Sequence, residues 1–122
     1  MRLGERRSKE GAYVWRSLID SGAIIPNGTG APAVRVDPRV SLYAAVTRKL
    51  PGVEVFYPDQ CMTRAKGFLS YTLWPAISAF QERKLDSIEI GKKADIVLWD
   101  RNLLTCPAED LGCHSSHDGS GR

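Results

Sequence analysis

Apolar residues recur every three or four positions through the first twenty residues of the chain and change to alternation near residue 88. That change of period separates helical from extended segments. Ala12, Trp15, Leu18 and Ile19 share one face of a predicted helix that Ser8 caps, Glu10 favours in its first turn and Gly22 ends. The apolar run 23–25 behind it reads as a short buried strand. Asp37 as cap and Pro38 at the first helical position open a second helix, with Leu42, Ala45 and Val46 inward and a stop at Pro51 and Gly52. Thr63 caps a third helix that packs through Phe68, Leu69, Thr72 and Leu73, and Pro75 breaks it before a fourth piece with Ala76, Ile77 and Phe80 inward. Ile88 and Ile90 then alternate with polar residues, Gly91 and Lys92 turn the chain, and the run 96–99 closes a predicted hairpin at Asp100.

The chain has 122 residues, 43% of them hydrophobic and 25% charged, a globular composition with room for one domain. It is well short of the ~250 residues of a closed (β/α)8 barrel. The net charge of +3 owes much to Arg2, Arg6, Arg7 and Lys9, but Glu5 and Glu10 interrupt that cluster and no aromatic residue is interleaved with it. It reads as a solvated lead-in, so nucleic acid is not expected as a partner. Neither a membrane-length apolar run nor a signal-peptide core is present, and a cytoplasmic location is the expectation. Cys61, Cys106 and Cys113 are odd in number and widely spaced, which suits reduced thiols. Cys113, His114 and His117 are metal-capable residue types, but a structural site needs about four ligands on a rigid frame, and this stretch is Ser/Gly-rich and terminal. No metal site is assigned to it.

Three stretches occur in a fixed order: NGTGAPAVRVDP from Asn27, LYAAVTR from Leu42 and SIEIGKKADIVLWDRNLLTCP from Ser87. Together they resemble the C-terminal part of metal-dependent amidohydrolases, in particular a subfamily like N-substituted formamide deformylase. The resemblance implies an α/β fold: the last βα units of a (β/α)8 barrel over residues 1–85, the first strands of an appended β-sandwich over 86–111, and a disordered tail over 112–122. It also implies a parent activity, hydrolysis of C–N bonds other than peptide bonds with zinc or another divalent metal.

Loops beyond strand C-termini carry the chemistry of such folds, yet the turn from Asn27 to Pro32 holds no ionisable side chain. Aligned on Gly28, Thr29, Ala31 and Pro32, the family's metal-binding Asp falls on Gly30. There is no His-x-His pair, and the two histidines are His114 and His117. Thr29 and Gly30 therefore mark a degenerate site position. No catalytic residue, metal ligand or cofactor is expected in this chain, and Gly28 and Gly30 read as turn residues free to take positive φ. Lys66, Gly67, Trp74 and Asp86 also depart from local expectation: a base near a helix start, a glycine inside a helix, a lost Asn cap and a residue where the family has Gly. The resulting expectation is a fragment or degenerate amidohydrolase, inactive by itself. The alternatives are a non-catalytic interaction or oligomerisation module that self-associates, and one half of a split enzyme completed by an N-terminal barrel half on a second chain.

Overall fold

The computed structural model describes residues 4–30, 32–33, 36–49 and 55–112. Among them are six helices, α1 (Glu5–Gly11), α2 (Trp15–Asp20), α3 (Pro38–Thr47), α4 (Arg64–Tyr71), α5 (Leu73–Ser78) and α6 (Ala108–Gly112), with a 3-10 turn at Pro58–Gln60 between α3 and α4. Helix α3 packs against α6 and α4, α4 adjoins α5, and α2 lies on the 3-10 turn.

No strand occurs among the described residues, which overturns the α/β expectation of barrel units followed by sandwich strands. A strand exists only by pairing, and the predicted strands find no ladder partner. Residues 23–25 belong to no helix or strand, and the Ala23 N–H donates to the Leu18 carbonyl at 3.1 Å, closing the end of α2. The predicted hairpin keeps its turn, in which the Lys92 N–H donates to the Glu89 carbonyl at 3.1 Å and Gly91 has φ 92°. Its arms do not pair, and Ile88, Ile90 and Leu98 are 90%, 108% and 91% exposed. Phe80, expected inward, is 92% exposed with φ 56°. The expected stop at Pro51 and Gly52 lies outside the described residues, as does the expected 112–122 tail apart from Gly112, which is the last residue of α6.

The local helix signals fare better. Asp37 caps α3 by accepting from the Arg39 N–H at 3.0 Å, with Pro38 at the first position. The Thr63 hydroxyl accepts from the Lys66 N–H at 3.3 Å at the start of α4. The first predicted helix is instead two, because Tyr13 between α1 and α2 has φ 57° and no helix continues through such a residue. Ser8 sits buried inside α1 rather than at its cap, a position taken by Gly4 with φ 73°.

Two apolar clusters flank α3. One gathers Ile19, Ala45, Met62 and Trp74, with Trp15, Ile25, Leu69 and Ile77 against it. The other gathers Leu42, Leu103 and Leu111, with Val46, Phe68 and Tyr71 alongside. Trp74, read from the sequence as a lost Asn cap, lies inside α5, whose cap position is Thr72, and is 8% exposed in the first cluster. Lys66 reaches Asp20 on α2 at 3.4 Å, which supplies a partner for a base otherwise ill-placed near a helix start. The Asp20 carboxyl is held below its ordinary value chiefly by its hydrogen bond from Arg16, with Lys66 adding to it.

Arg48 joins the parts. It ends α3 in the left-handed region at φ 57° and is 6% exposed. Its Nε donates to the Phe56 carbonyl at 2.7 Å and its Nη1 to the Tyr13 carbonyl at 2.8 Å. The guanidinium carbon lies 4.9 Å from the Trp15 ring centroid and 5.0 Å from that of Phe56. Arg64 does similar work at the other end of the chain, donating to the carbonyls of Leu103 at 2.6 Å and Cys106 at 2.8 Å and so fastening that turn to α4.

Gly67 is buried where α4 meets α3. A Cβ there would stand 2.8 Å from Leu42 Cδ1 and 3.2 Å from Val46 Cγ1. The helix-propensity gain of about 1 kcal/mol from Gly to Ala is thus opposed by overpacking of about 1–3 kcal/mol. We expect Gly67→Ala to lower unfolding free energy by roughly 1 kcal/mol and Gly67→Val by more, measured by urea denaturation. A Gly67→Ala protein more stable than the parent would show that Leu42 and Val46 can move aside.

Candidate functional site

The turn after residues 23–25 is anchored at its start and open at its end. The Asn27 N–H donates to the carbonyl of Ser70 at 2.7 Å, so the segment leaves α2 and docks on the last turn of α4. Ser70 is wholly buried and its hydroxyl donates back to the Gly67 carbonyl at 2.6 Å. Beyond Asn27 the chain turns outward. The Asn27 Oδ1 accepts from the Gly28 N–H at 2.9 Å, and the Ala33 N–H donates to the Gly30 carbonyl at 3.0 Å. Gly30 has φ 69°, a conformation in which a side chain is strained; Gly28 does not lie in that region, so only one of the two turn glycines is needed for its backbone.

The chemistry of this turn follows from its atoms. Thr29 is half-buried and Gly30 exposed, and neither carries a carboxylate or an imidazole. The carbonyl-rich end of α4 beside Asn27 adds partial negative charge but no ionised ligand. A hydrolytic zinc takes about three protein ligands of the His, Asp, Glu or Cys type. Asn27, Thr29 and Gly30 offer neutral oxygens, so the residues at this position do not fit such an ion. Among the described residues no three His, Cys, Asp or Glu side chains gather around a common point. Cys113, His114 and His117 lie outside the described residues.

The third sequence stretch builds a more enclosed feature. Lys92 sends its ammonium to the Glu82 carbonyl and the Ser87 hydroxyl, both at 2.6 Å, and the Lys93 N–H donates to the Lys84 carbonyl at 2.9 Å, so residues 82–93 form a tied loop. This loop and residues 94–97 line a concavity of about 510 Å³. Asp86 sits on its wall with φ 84° and with Oδ2 buried and unpartnered among the described residues. Burial pushes its carboxyl above the ordinary value, and the neighbouring Lys92 opposes the rise. A second cavity of about 310 Å³ separates residues 95–99 from α3 and α4, bounded by Leu42, Phe68, Tyr71, Val97 and Trp99.

Sequence reasoning did not single out Arg48, although it ends the LYAAVTR stretch, where a charged residue after an apolar helix face is the available signal. Cys61 lies in the electrostatic range of that guanidinium, but burial pushes its thiol up, so it is not an activated thiolate. No helix of the described residues is long and apolar enough to cross a membrane.

Comparison with known proteins matches residues 1–113 to the model of a family described as the amidohydrolase family. The N-substituted formamide deformylase of Arthrobacter pascens is 26% identical over 108 residues, covering 88% of this chain and 20% of its own length. The protein LONG AFTER FAR-RED 3 of Arabidopsis thaliana is 28% identical over 102 residues, covering 83% of this chain and 18% of its own. YtcJ of Bacillus subtilis is 29% identical over 100 residues, covering 80% and 19%. The chain thus spans about a fifth of the length of the curated relatives it matches. No solved structure matches it significantly.

The strain at Asp86 gives a measurable consequence. A left-handed non-glycine residue and a buried carboxylate oxygen without a donor each disfavour the folded state, while glycine adds freedom to the unfolded chain. We expect Asp86→Gly to raise unfolding free energy by about 1 kcal/mol at neutral pH. Asp86→Asn removes the charge alone. Because burial raises the folded-state pKa, ionisation costs stability above that value, and the cost disappears as pH falls through it toward 3.8. The advantage of Asp86→Asn over the parent should therefore shrink with acidification, and denaturation midpoints that keep a constant gap across that window would show that the charge is not felt.

Proposed function

Because the chain belongs to the amidohydrolase family, we propose that it is a non-catalytic part of an amidohydrolase scaffold and does not hydrolyse C–N bonds by itself. The observation that carries this reading is Gly30. The resemblance places the family's metal-binding acid at that position, and the residue there has no side chain. In enzymes of this kind a divalent metal makes bound water a stronger acid and an acidic residue removes its proton. Thr29 can offer a hydroxyl to a hydrogen bond but cannot take up that proton near neutral pH, and the Asn27 amide oxygen already accepts from Gly28. The finer likeness to N-substituted formamide deformylase supplies a substrate class for the test rather than a known activity.

The purified chain, incubated with zinc and with N-substituted formamides or N-acyl amides, is expected to show no turnover above buffer and no stoichiometric metal after dialysis. Gly30→Asp should leave both results unchanged, since one carboxylate cannot supply the roughly three ligands that a catalytic metal takes from protein. Retained stoichiometric zinc together with turnover in the unaltered chain would refute the proposal, and activity gained by Gly30→Asp alone would show that other ligands are present.

A further inference from the structure

Asparagine is among the chemically labile residues, and Asn27 is followed by a glycine. The Gly28 N–H donates to the Asn27 Oδ1 at 2.9 Å, in a hydrogen bond exposed at the surface. Oδ1 is bonded directly to Cγ, so the Gly28 nitrogen also stands close to Cγ, the electrophilic carbon of that side chain. Gly28 is exposed, and a Cβ built on it would meet nothing within 4 Å, so neither a side chain nor a neighbouring element shields the nitrogen. The Asn27 main chain is held from the other side, its N–H donating to the Ser70 carbonyl at 2.7 Å. The fold therefore places nucleophile and electrophile together, which is the larger part of what an intramolecular reaction requires.

We propose that Asn27 is a site of spontaneous covalent modification, converted to aspartate and isoaspartate through a ring closed with the Gly28 nitrogen. Hydroxide takes the Gly28 amide proton, and the nitrogen forms a bond to the Asn27 Cγ. The C–N bond of the side-chain amide then breaks, and ammonia leaves with a proton taken from water, which restores the hydroxide. A water molecule opens the resulting cyclic imide, at Cγ to give aspartate or at the main-chain carbonyl to give isoaspartate. The chain has then exchanged NH2 for OH, with water consumed and ammonia released, and no oxidant or reductant takes part.

The product puts a carboxylate into a turn that has no ionisable side chain, three residues before Gly30. It does not rebuild a metal centre, because one carboxylate falls short of the roughly three protein ligands that a catalytic ion takes. Its effect is on the turn itself: a negative charge beside the carbonyl end of α4 is disfavoured, and isoaspartate adds a methylene to the main chain ahead of the bond from Ala33 to Gly30. Asn102 provides an internal reference. Its Oδ1 accepts from the N–H of Leu104 at 3.0 Å rather than from the next residue, and that next residue, Leu103, is bulky and 5% exposed.

Incubation of the purified chain in mildly alkaline buffer tests the proposal, with peptide mapping by mass spectrometry and an isoaspartate assay as readouts. Asn27 should convert to both products at a rate that rises with hydroxide concentration, and Asn102 should convert at least about tenfold more slowly. Gly28→Val should slow the reaction at Asn27 by at least about tenfold. Its side chain enters open space on a backbone outside the left-handed region, so the unfolding midpoint should hold; Gly28→Ala, a smaller change at the same place, should slow the reaction less. The folded chain should react at a rate no more than about threefold below that of the same chain unfolded in urea. Mapping keeps Asn27 apart from Asp118-Gly119, where an aspartate can pass through the same kind of ring. An Asn27 that keeps its amide, or that converts no faster than Asn102, overturns the proposal. So does an unchanged rate in Gly28→Val, or a folded chain that reacts at least about tenfold more slowly than the unfolded one. Asn27-Gly28-Thr29 also fits the acceptor pattern for an N-linked glycan, and a sugar found on the Asn27 amide in place of the two acids would overturn it as well.

Discussion

A single buried cation holds the N-terminal half of this chain in place. Arg48 lies between the rings of Trp15 and Phe56 and binds the carbonyls of Tyr13 and Phe56, so one guanidinium fixes the end of α3, the break between α1 and α2, and the chain returning toward the 3-10 turn. Burial pulls its pKa down, but an arginine starts far enough above neutrality to keep its charge. A lysine could place a charge there, but not a planar fork able to serve two carbonyls while stacked on rings. The left-handed backbone at Arg48, a conformation costing about 1–2 kcal/mol in a non-glycine residue, is offset by these contacts.

That dependence explains which elements the sequence made legible. Helix starts at Asp37 and Thr63 and the stop at Gly22 rest on atoms within a few residues of each other, and the structure shows each of them. The break at Tyr13 does not, because the group that stabilises it comes from residue 48, thirty-five positions away. Gly67 and Trp74, which look like losses when helix propensity and capping are considered alone, are each used in packing: one lets α3 approach α4, the other fills the cluster around Ile19. The predicted strands failed for a different reason. Their residues have the composition of strands, but pairing is a property of two segments, and the described part of the chain places no second segment beside them.

The candidate site was legible to the extent that its chemistry is local. A glycine has no side-chain ligand atom in any fold, so that much of Gly30 follows from the sequence alone. The placement of its neighbours does not: that the Asn27 N–H docks on the Ser70 carbonyl depends on α4 arriving from some forty residues downstream. The strain at Asp86 was visible only in outline: the resemblance implied a glycine there, a residue that suits a left-handed backbone, and φ 84° is such a conformation.

Helix α3 has a mechanical role as well. Leu42 belongs to one apolar cluster and Ala45 to the other, three residues apart on the same rod. Each cluster is completed from a different end of the chain, Ile19 on one side and Leu103 and Leu111 on the other, so the ten residues of α3 are the wall that both share, and a change that displaces this helix is felt by both halves of the interior.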